Sequence, residues 1–309
     1  ASLVDPKKVI PVAMEFVDIA GLIPGASRGE GLGNRFLSHI REVDALAHVI
    51  RVFEDENVTH VANKIDPISD IESIQTELAL ADLETLERAI ERAKKRLKTG
   101  EKFRSFEIEP YIHARTLLDQ QLKICISALT VEERIELMPL GLLTLKPVVY
   151  IVNTGEEDAS GGKCAKQLFQ HDIVENAEVI LISANVEEEI SRLASNDRAL
   201  FLSEMGLEEP GLDRIIQAGY RLLGLQTFFT AGPKEVRAWT IPKETKAPQA
   251  AGKIHTDFER GFIRAETISY DDFLHYLGEQ GAKEAGRLRL EGRDYLVKDG
   301  DIMNFRFNV

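Results

Sequence analysis

Long apolar runs are missing from this sequence. No stretch approaches the roughly 20 residues needed to span a bilayer, and the N-terminus has neither the basic nor the apolar segment of an export signal. These absences argue against a helical membrane protein and against secretion. Cysteine is scarce as well: Cys125 and Cys164 are the only two, too few for a disulfide framework and without a metal-ligand spacing. The expectation is a cytoplasmic protein. Basic charge is in deficit, with 38 Lys+Arg against 51 Asp+Glu and a net charge of -13. That balance argues against a chain coated by nucleic acid over its whole surface, and no DNA partner is expected. Internal repeats and low-complexity tracts are also absent.

What is present is a chain of 309 residues with 44% hydrophobic content, long enough for two or three domains with ordinary cores. Its charge is uneven. From Gln226 to Val309 acids and bases balance at 13 each, so the preceding residues carry the whole acidic excess. Against that background Arg88, Arg92, Lys94, Lys95, Arg96, Lys98, Lys102 and Arg104 crowd one short run. Such a run reads as a solvated helix face, or else as an RNA-contacting patch.

Four segments read as buried strands: Val12 to Ala20, Ala45 to Phe53, Pro147 to Val152 and Ala177 to Ile182. The later two are short, β-branched and end in polar residues, as parallel strands of an α/β sheet do. Their carboxyl ends should carry the ligand site. Between the second and third, residues 68–143 have helical spacing, and Leu78, Leu80, Leu83, Leu86, Ala89, Ile90, Ala93 and Leu97 form one apolar stripe. This predicts a helical insertion whose ends lie close together. After Leu225 short strand-like runs recur at 226–229, 236–241, 262–268, 294–297 and 302–307, with a helix near 250–258 and a Lys298-Asp299-Gly300-Asp301 turn. That pattern predicts a small α+β module.

Asp18-Ile19-Ala20-Gly21 closes an apolar run and opens a glycine-rich stretch reaching Gly33. In phosphate-loop nucleotide hydrolases an Asp here holds magnesium, usually through water, and a Gly amide can approach the γ-phosphate because no Cβ intervenes. Taken alone, Asp-x-x-Gly is also an ordinary strand followed by a turn. Leu22 follows where many such enzymes carry a water-orienting glutamine. Leucine cannot hydrogen-bond, so intrinsic turnover should be slow and another group must organise the water. His60 is the candidate, although a single loop histidine more often has no such role.

Two motifs compete for base recognition. Asn63-Lys64-Ile65-Asp66 spells a guanine reader, but it lacks a long apolar strand before it and precedes Pro67. Asn153-Thr154-Gly155-Glu156 ends a strand, and its distance from Ser183-Ala184-Asn185 leaves room for one helix and a return strand. Both loops would then lie side by side over a purine. We read Asn63 to Asp66 as a decoy. Guanine offers a ring N–H to a carboxylate, whereas adenine offers a lone pair there, so a carboxylate poised for guanine repels adenine. Glu156, one methylene longer than Asp, withdraws that selection, and backbone groups near Thr154 can pair with adenine. The expected ligand is ATP.

These motifs resemble those of the YchF subfamily of Obg-like ATPases, a resemblance that covers the whole chain. It is carried by Phe16-Val17-Asp18-Ile19-Ala20-Gly21-Leu22, Gly29 to Asn34, Asn153 to Glu156, Phe228 to Gly232, Val236 to Thr240, Lys253 to Ala265 and the ending from Asp299. The resemblance implies an α/β fold: a P-loop NTPase-type G domain with a mainly parallel sheet (1–67 and 144–223), a helical coiled-coil insertion (68–143) and a C-terminal β-grasp TGS domain (224–309). It further implies ATP and Mg2+ as cofactors, ATP hydrolysis without the usual glutamine, and association with the ribosome or its RNA. By position it makes Asp18 and Gly21 switch residues, with Asp18 at the metal. Asn153 and Thr154 become adenine contacts beside Glu156, Ser183 and Ala184, and His60 becomes the histidine assisting hydrolysis.

One departure stands out. Members begin with a strand, a Gly-x-x-x-x-Gly-Lys-Ser/Thr loop and a helix, which this sequence does not spell, and Gly161-Gly162-Lys163-Cys164 puts Cys where the magnesium-binding hydroxyl belongs. The expectation is that an N-terminal piece precedes Ala1 and that these residues alone are impaired in hydrolysis. Two alternatives remain: a GTPase reading guanine through Asn63 and Asp66, and a non-catalytic module binding RNA or protein.

Overall fold

The computed structural model describes residues 1–19, 32–54, 65–98, 108–156 and 177–308. The chain divides into two compact units, Ala1–Phe16 with Tyr220–Val309, and Val17–Gly219. The N-terminus corrects two expectations. Strand β1 is only Val9–Ile10, and it pairs in parallel with Val236 and Arg237. Lys7 N–H also donates to Pro233 O and Val236 N–H to Lys8 O. These bonds place residues 1–16 with the C-terminal unit rather than with the first domain. The expected strand from Val12 is absent over residues 12–19, where Phe16 and Val17 are 51% and 57% exposed. A strand persists only where its backbone groups find partners, and no described strand pairs with residues 12–19.

The Val17–Gly219 unit is built on a parallel sheet. Helix α1 (Leu32–Glu42) leads into β2 (Leu46–Arg51). The long α2 (Pro67–Lys98), α3 (Glu109–Gln121) and α4 (Val131–Leu137) follow, and the chain then returns as β3 (Val148–Asn153) and β4 (Glu178–Ile182). The strand order is β2-β3-β4, all parallel. In the middle strand Val149, Tyr150, Ile151 and Val152 are all buried, which is why it reads as a continuous apolar run. Helices α5 (Ala184–Arg192), α6 (Ser195–Glu204) and α7 (Gly211–Leu222) complete the series.

Helix α2 spans about 48 Å at 1.5 Å per residue and buries two faces. Leu78 and Ala81 meet Leu37 and Ile40 of α1, whereas Ala79 and Leu86 meet Ala114, Leu117 and Leu118 of α3. Further along, Ile90 and Ala93 pack with Ile108 and Tyr111, so α3 runs back antiparallel to α2. The apolar stripe was visible in sequence, but three polar residues buried with it, Glu77, Asp82 and Thr85, were not. Asp82 accepts from Leu143 N–H, Thr144 N–H and Thr144 Oγ1–H, each at 2.8 Å. Arg41, near the end of α1, donates to Gly141 O and Thr85 Oγ1 at 3.1 Å each. These bonds fasten α2 and α1 to the turn that enters β3.

In the C-terminal unit, β5 (Leu225–Ala231) and β6 (Val236–Pro242) form a hairpin, followed by α8 (Ala247–Ile254) and α9 (Thr256–Arg260). Then come β7 (Phe262–Ile268), α10 (Tyr270–His275), α11 (Glu279–Glu284), β8 (Arg289–Glu291) and β9 (Ile302–Phe307). The sheet order is β1-β6-β5-β9-β7-β8, with β5 and β9 parallel at its centre. Ala247, Ala250 and Ala251 of α8 press onto Phe228, Phe262, Met303 and Phe305, giving the helix-on-sheet arrangement expected of a β-grasp module. Small alanines let the helix approach closely. The single helix expected near 250–258 is two. His255 breaks it with extended dihedrals (φ -160, ψ 141), and its Nδ1 accepts from Asp257 N–H at 3.2 Å. At Gly261 a Cβ would lie 2.1 Å from Asn308 O, so only glycine permits the strand ends to meet.

Candidate functional site

Strands β3 and β4 are adjacent and in register, with Asn153 opposite Ile182, so they stop at the same level. Their next residues form two loops that are stitched together. Thr154 donates twice to Ile182 O, from N–H at 2.7 Å and from Oγ1 at 3.1 Å. Asn153 Oδ1 accepts from Ala184 N–H at 3.0 Å, and Glu156 Oε1 accepts from Asn185 Nδ2 at 3.0 Å. From the other side, Val52 N–H donates to Asn153 O at 3.1 Å. Thr154 and Ser183 are buried, at 2% and 3% exposure, while Ala184, Asn185 and Glu156 face solvent. Parallel strands ending at one level, with α5 beginning directly after Ser183, are the geometry of a ligand crevice at the carboxyl edge of an α/β sheet.

Asn153, Thr154, Glu156, Ser183 and Ala184, picked from the sequence, are therefore brought together. Asp18 is exposed in the irregular segment of the same unit, and its neighbour Ile19 packs on Leu37, Ile40 and Leu78. Gly21, His60 and Cys164 lie outside the described residues, as do Asn63 and Lys64. Asp66 is described, and it has a structural task. Its Oδ1 accepts from Ser69 N–H at 3.3 Å and its carbonyl from Asp70 N–H at 3.0 Å, just ahead of Pro67. An Asp before a Pro-initiated helix is a common N-terminal signal, so the Asn63 to Asp66 run ends in a helix start.

Sequence reasoning placed Asn185 in the purine-facing loop without a role of its own, and gave Glu187 none. The carboxylate of Glu187 accepts from Gly211 N–H at 2.7 Å and Leu212 N–H at 3.3 Å, holding the start of α7. Asn185 ends the quoted Ser183-Ala184-Asn185 triplet, but only the register of β3 and β4 shows that it faces Glu156.

A parallel sheet with hydrogen-bonded loops at the carboxyl ends of adjacent strands, joined in one chain to a β-grasp module, is the arrangement of a nucleotide-binding α/β protein of the P-loop GTPase type. A family model described as 50S ribosome-binding GTPase matches residues 5–96, and YchF-GTPase C-terminal, described as a protein of unknown function, matches residues 225–308. Among curated relatives, "Ribosome-binding ATPase YchF" of Escherichia coli O157:H7 is 53% identical over 309 residues, covering 100% of this chain and 85% of the relative. The protein of that name from Bacillus subtilis is 51% identical, covering 99% and 85%. A solved structure titled as the Schizosaccharomyces pombe YchF GTPase superposes with a TM-score of 0.80 at 33% identity, over 99% of this chain and 83% of that one. A GTP binding protein from Pyrococcus horikoshii, at 18% identity and TM-score 0.55 over 88% and 81%, shares the fold. This chain belongs to the YchF family.

Proposed function

We propose that this protein is an ATP-binding, slowly hydrolysing ATPase of the cytoplasm that associates with the ribosome according to its nucleotide state. The names of its relatives divide between ATPase and GTPase, and the observation that carries the choice is the stitching of the two loops. Guanine's O6 acceptor needs a donor, yet neither Thr154 nor Ala184 can supply it, since Thr154 N–H, Thr154 Oγ1–H and Ala184 N–H are each spent on acceptors of the protein. What remains at Thr154 is its carbonyl oxygen, a partner for adenine's amino group. Asn153 keeps its Nδ2 for the ring nitrogen that both purines share. The carboxylate of Glu156 is drawn to Asn185.

Asp18 would supply magnesium with one carboxylate through water. A single exposed carboxylate fits this ion, which takes its other ligands from phosphate oxygens and water. The bound ion would neutralise charge on the phosphates. Gly21 would approach the γ-phosphate and His60 would position water. The helices between β2 and β3 are read as an insertion presenting the exposed basic end of α2 to ribosomal RNA, with the C-terminal unit as a TGS domain. Because these residues spell no Gly-x-x-x-x-Gly-Lys-Ser/Thr loop, hydrolysis by them alone is expected to be impaired.

Competition between ATP and GTP for the protein tests the base assignment, and pelleting with ribosomes in ATP, in ADP and without nucleotide tests the coupling. ATP preference with nucleotide-dependent pelleting is expected. Equal affinity for GTP, or pelleting indifferent to nucleotide, would count against the reading.

A further inference from the structure

We propose that Asn185 itself reads the base and that Glu156 is its positioning residue; this rests on the ATP-site reading above. A carboxylate can only accept hydrogen bonds. The Asn185 group lying 3.0 Å from Glu156 Oε1 must therefore be its amide nitrogen, which fixes the orientation of an otherwise ambiguous side chain. That nitrogen carries two hydrogens. One is spent on Glu156, and the other remains a donor at the edge of the crevice.

Adenine's N1 is an acceptor, so a donor there forms a hydrogen bond. Guanine carries N1–H at the same position, and two donors facing each other repel. The usual division of labour is thus reversed, since the carboxylate aims an amide and the amide discriminates. Three observations hold the pair together. Asn153 opposite Ile182 sets the two loops at one level, the Asn153 to Ala184 bond ties them a second time, and Asn185 lies in the first turn of α5. There the partial positive charge of a helix start favours a nearby carboxylate.

The test measures dissociation constants for ATP and GTP by calorimetry on the full chain and on N185A, N185D and E156A. Asn185 is exposed, so folding should be retained, with circular dichroism as the check. Loss of one hydrogen bond predicts that N185A weakens ATP about fivefold to tenfold while GTP changes less than about twofold. In N185D a carboxylate able to accept guanine's N1–H replaces the donor, so the preference for ATP should fall by about tenfold or more. E156A keeps the amide but frees it, and should lose discrimination to about the N185A level. If the parent selects ATP while N185A and N185D keep its ATP to GTP ratio, Asn185 is not the reader and the ATP site stands. If the parent binds neither nucleotide, the ATP-site reading fails and the role of Asn185 falls with it.

Discussion

Replacing Asp82 should unfasten the long helix from the sheet. This carboxylate is fully buried on α2 and receives three donors, Leu143 N–H, Thr144 N–H and Thr144 Oγ1–H, all at 2.8 Å. In D82A the buried Leu143 N–H loses its acceptor, at a cost of about 1–3 kcal/mol, and Thr144 loses two bonds to a charged group. Removing the carboxylate also relieves its own burial, which is unfavourable enough to push its pKa upward against those three bonds. The balance comes to a loss of about 3 kcal/mol for D82A. D82N retains an oxygen for Leu143 but sets an NH2 group against Thr144 N–H, so about 2 kcal/mol is expected. Urea unfolding followed by far-ultraviolet circular dichroism reports the helices of this unit. The single tryptophan, Trp239, lies in the other unit, and its fluorescence provides a second transition from the same sample. The helical transition should move in the order D82A, D82N, parent. A D82A transition within about 0.5 kcal/mol of the parent, or a D82N variant less stable than D82A, would refute the reasoning.

Three further outcomes are expected. G261A forces a methyl group onto Asn308 O, where a Cβ would stand at 2.1 Å, and should destabilise the C-terminal unit by about 2–3 kcal/mol in the Trp239 transition; an unchanged transition would show that the strand ends yield freely. Burial pushes the His48 imidazole from 6.5 down to about 4, partly opposed by Asp70. The unfolded chain then binds the extra proton first, and stability present above 6.5 should fall by up to about 3 kcal/mol as pH drops through that window. A H48Q variant should lose this slope, and an identical slope would assign it elsewhere. Neutralising Arg92, Lys94 and Lys95, exposed near the end of α2, should lower the salt slope of ribosome pelleting by about 2–3; pelleting with the parent's slope would remove this patch from the interface.

Legibility varied with the kind of signal. Strand β3 was readable because a central parallel strand is apolar on both faces, β4 because it is a short β-branched run closed by a polar residue, and β7 and β9 because they sit between clear turn residues. The segment from Val12 looked equally strand-like and forms none over residues 12–19, since an apolar pattern does not supply a partner. Asn63 to Asp66 shows the converse. Its letters fit a guanine reader, yet Asp66 serves the start of α2, and a motif is silent about which bond its carboxylate makes. His255, left without a role, ends one helix and begins the next.

The sequence by itself determined the parallel strands and the two loops at their ends, because periodicity, turn residues and spacing are local properties. Tertiary structure alone decided what those loops present to a ligand. Whether Thr154 offers a donor or an acceptor depends on Ile182, and where the amide of Asn185 points depends on Glu156. Those partners lie on different strands, and hydrogen-bond capacity already spent inside the protein cannot be counted until the strands are set side by side.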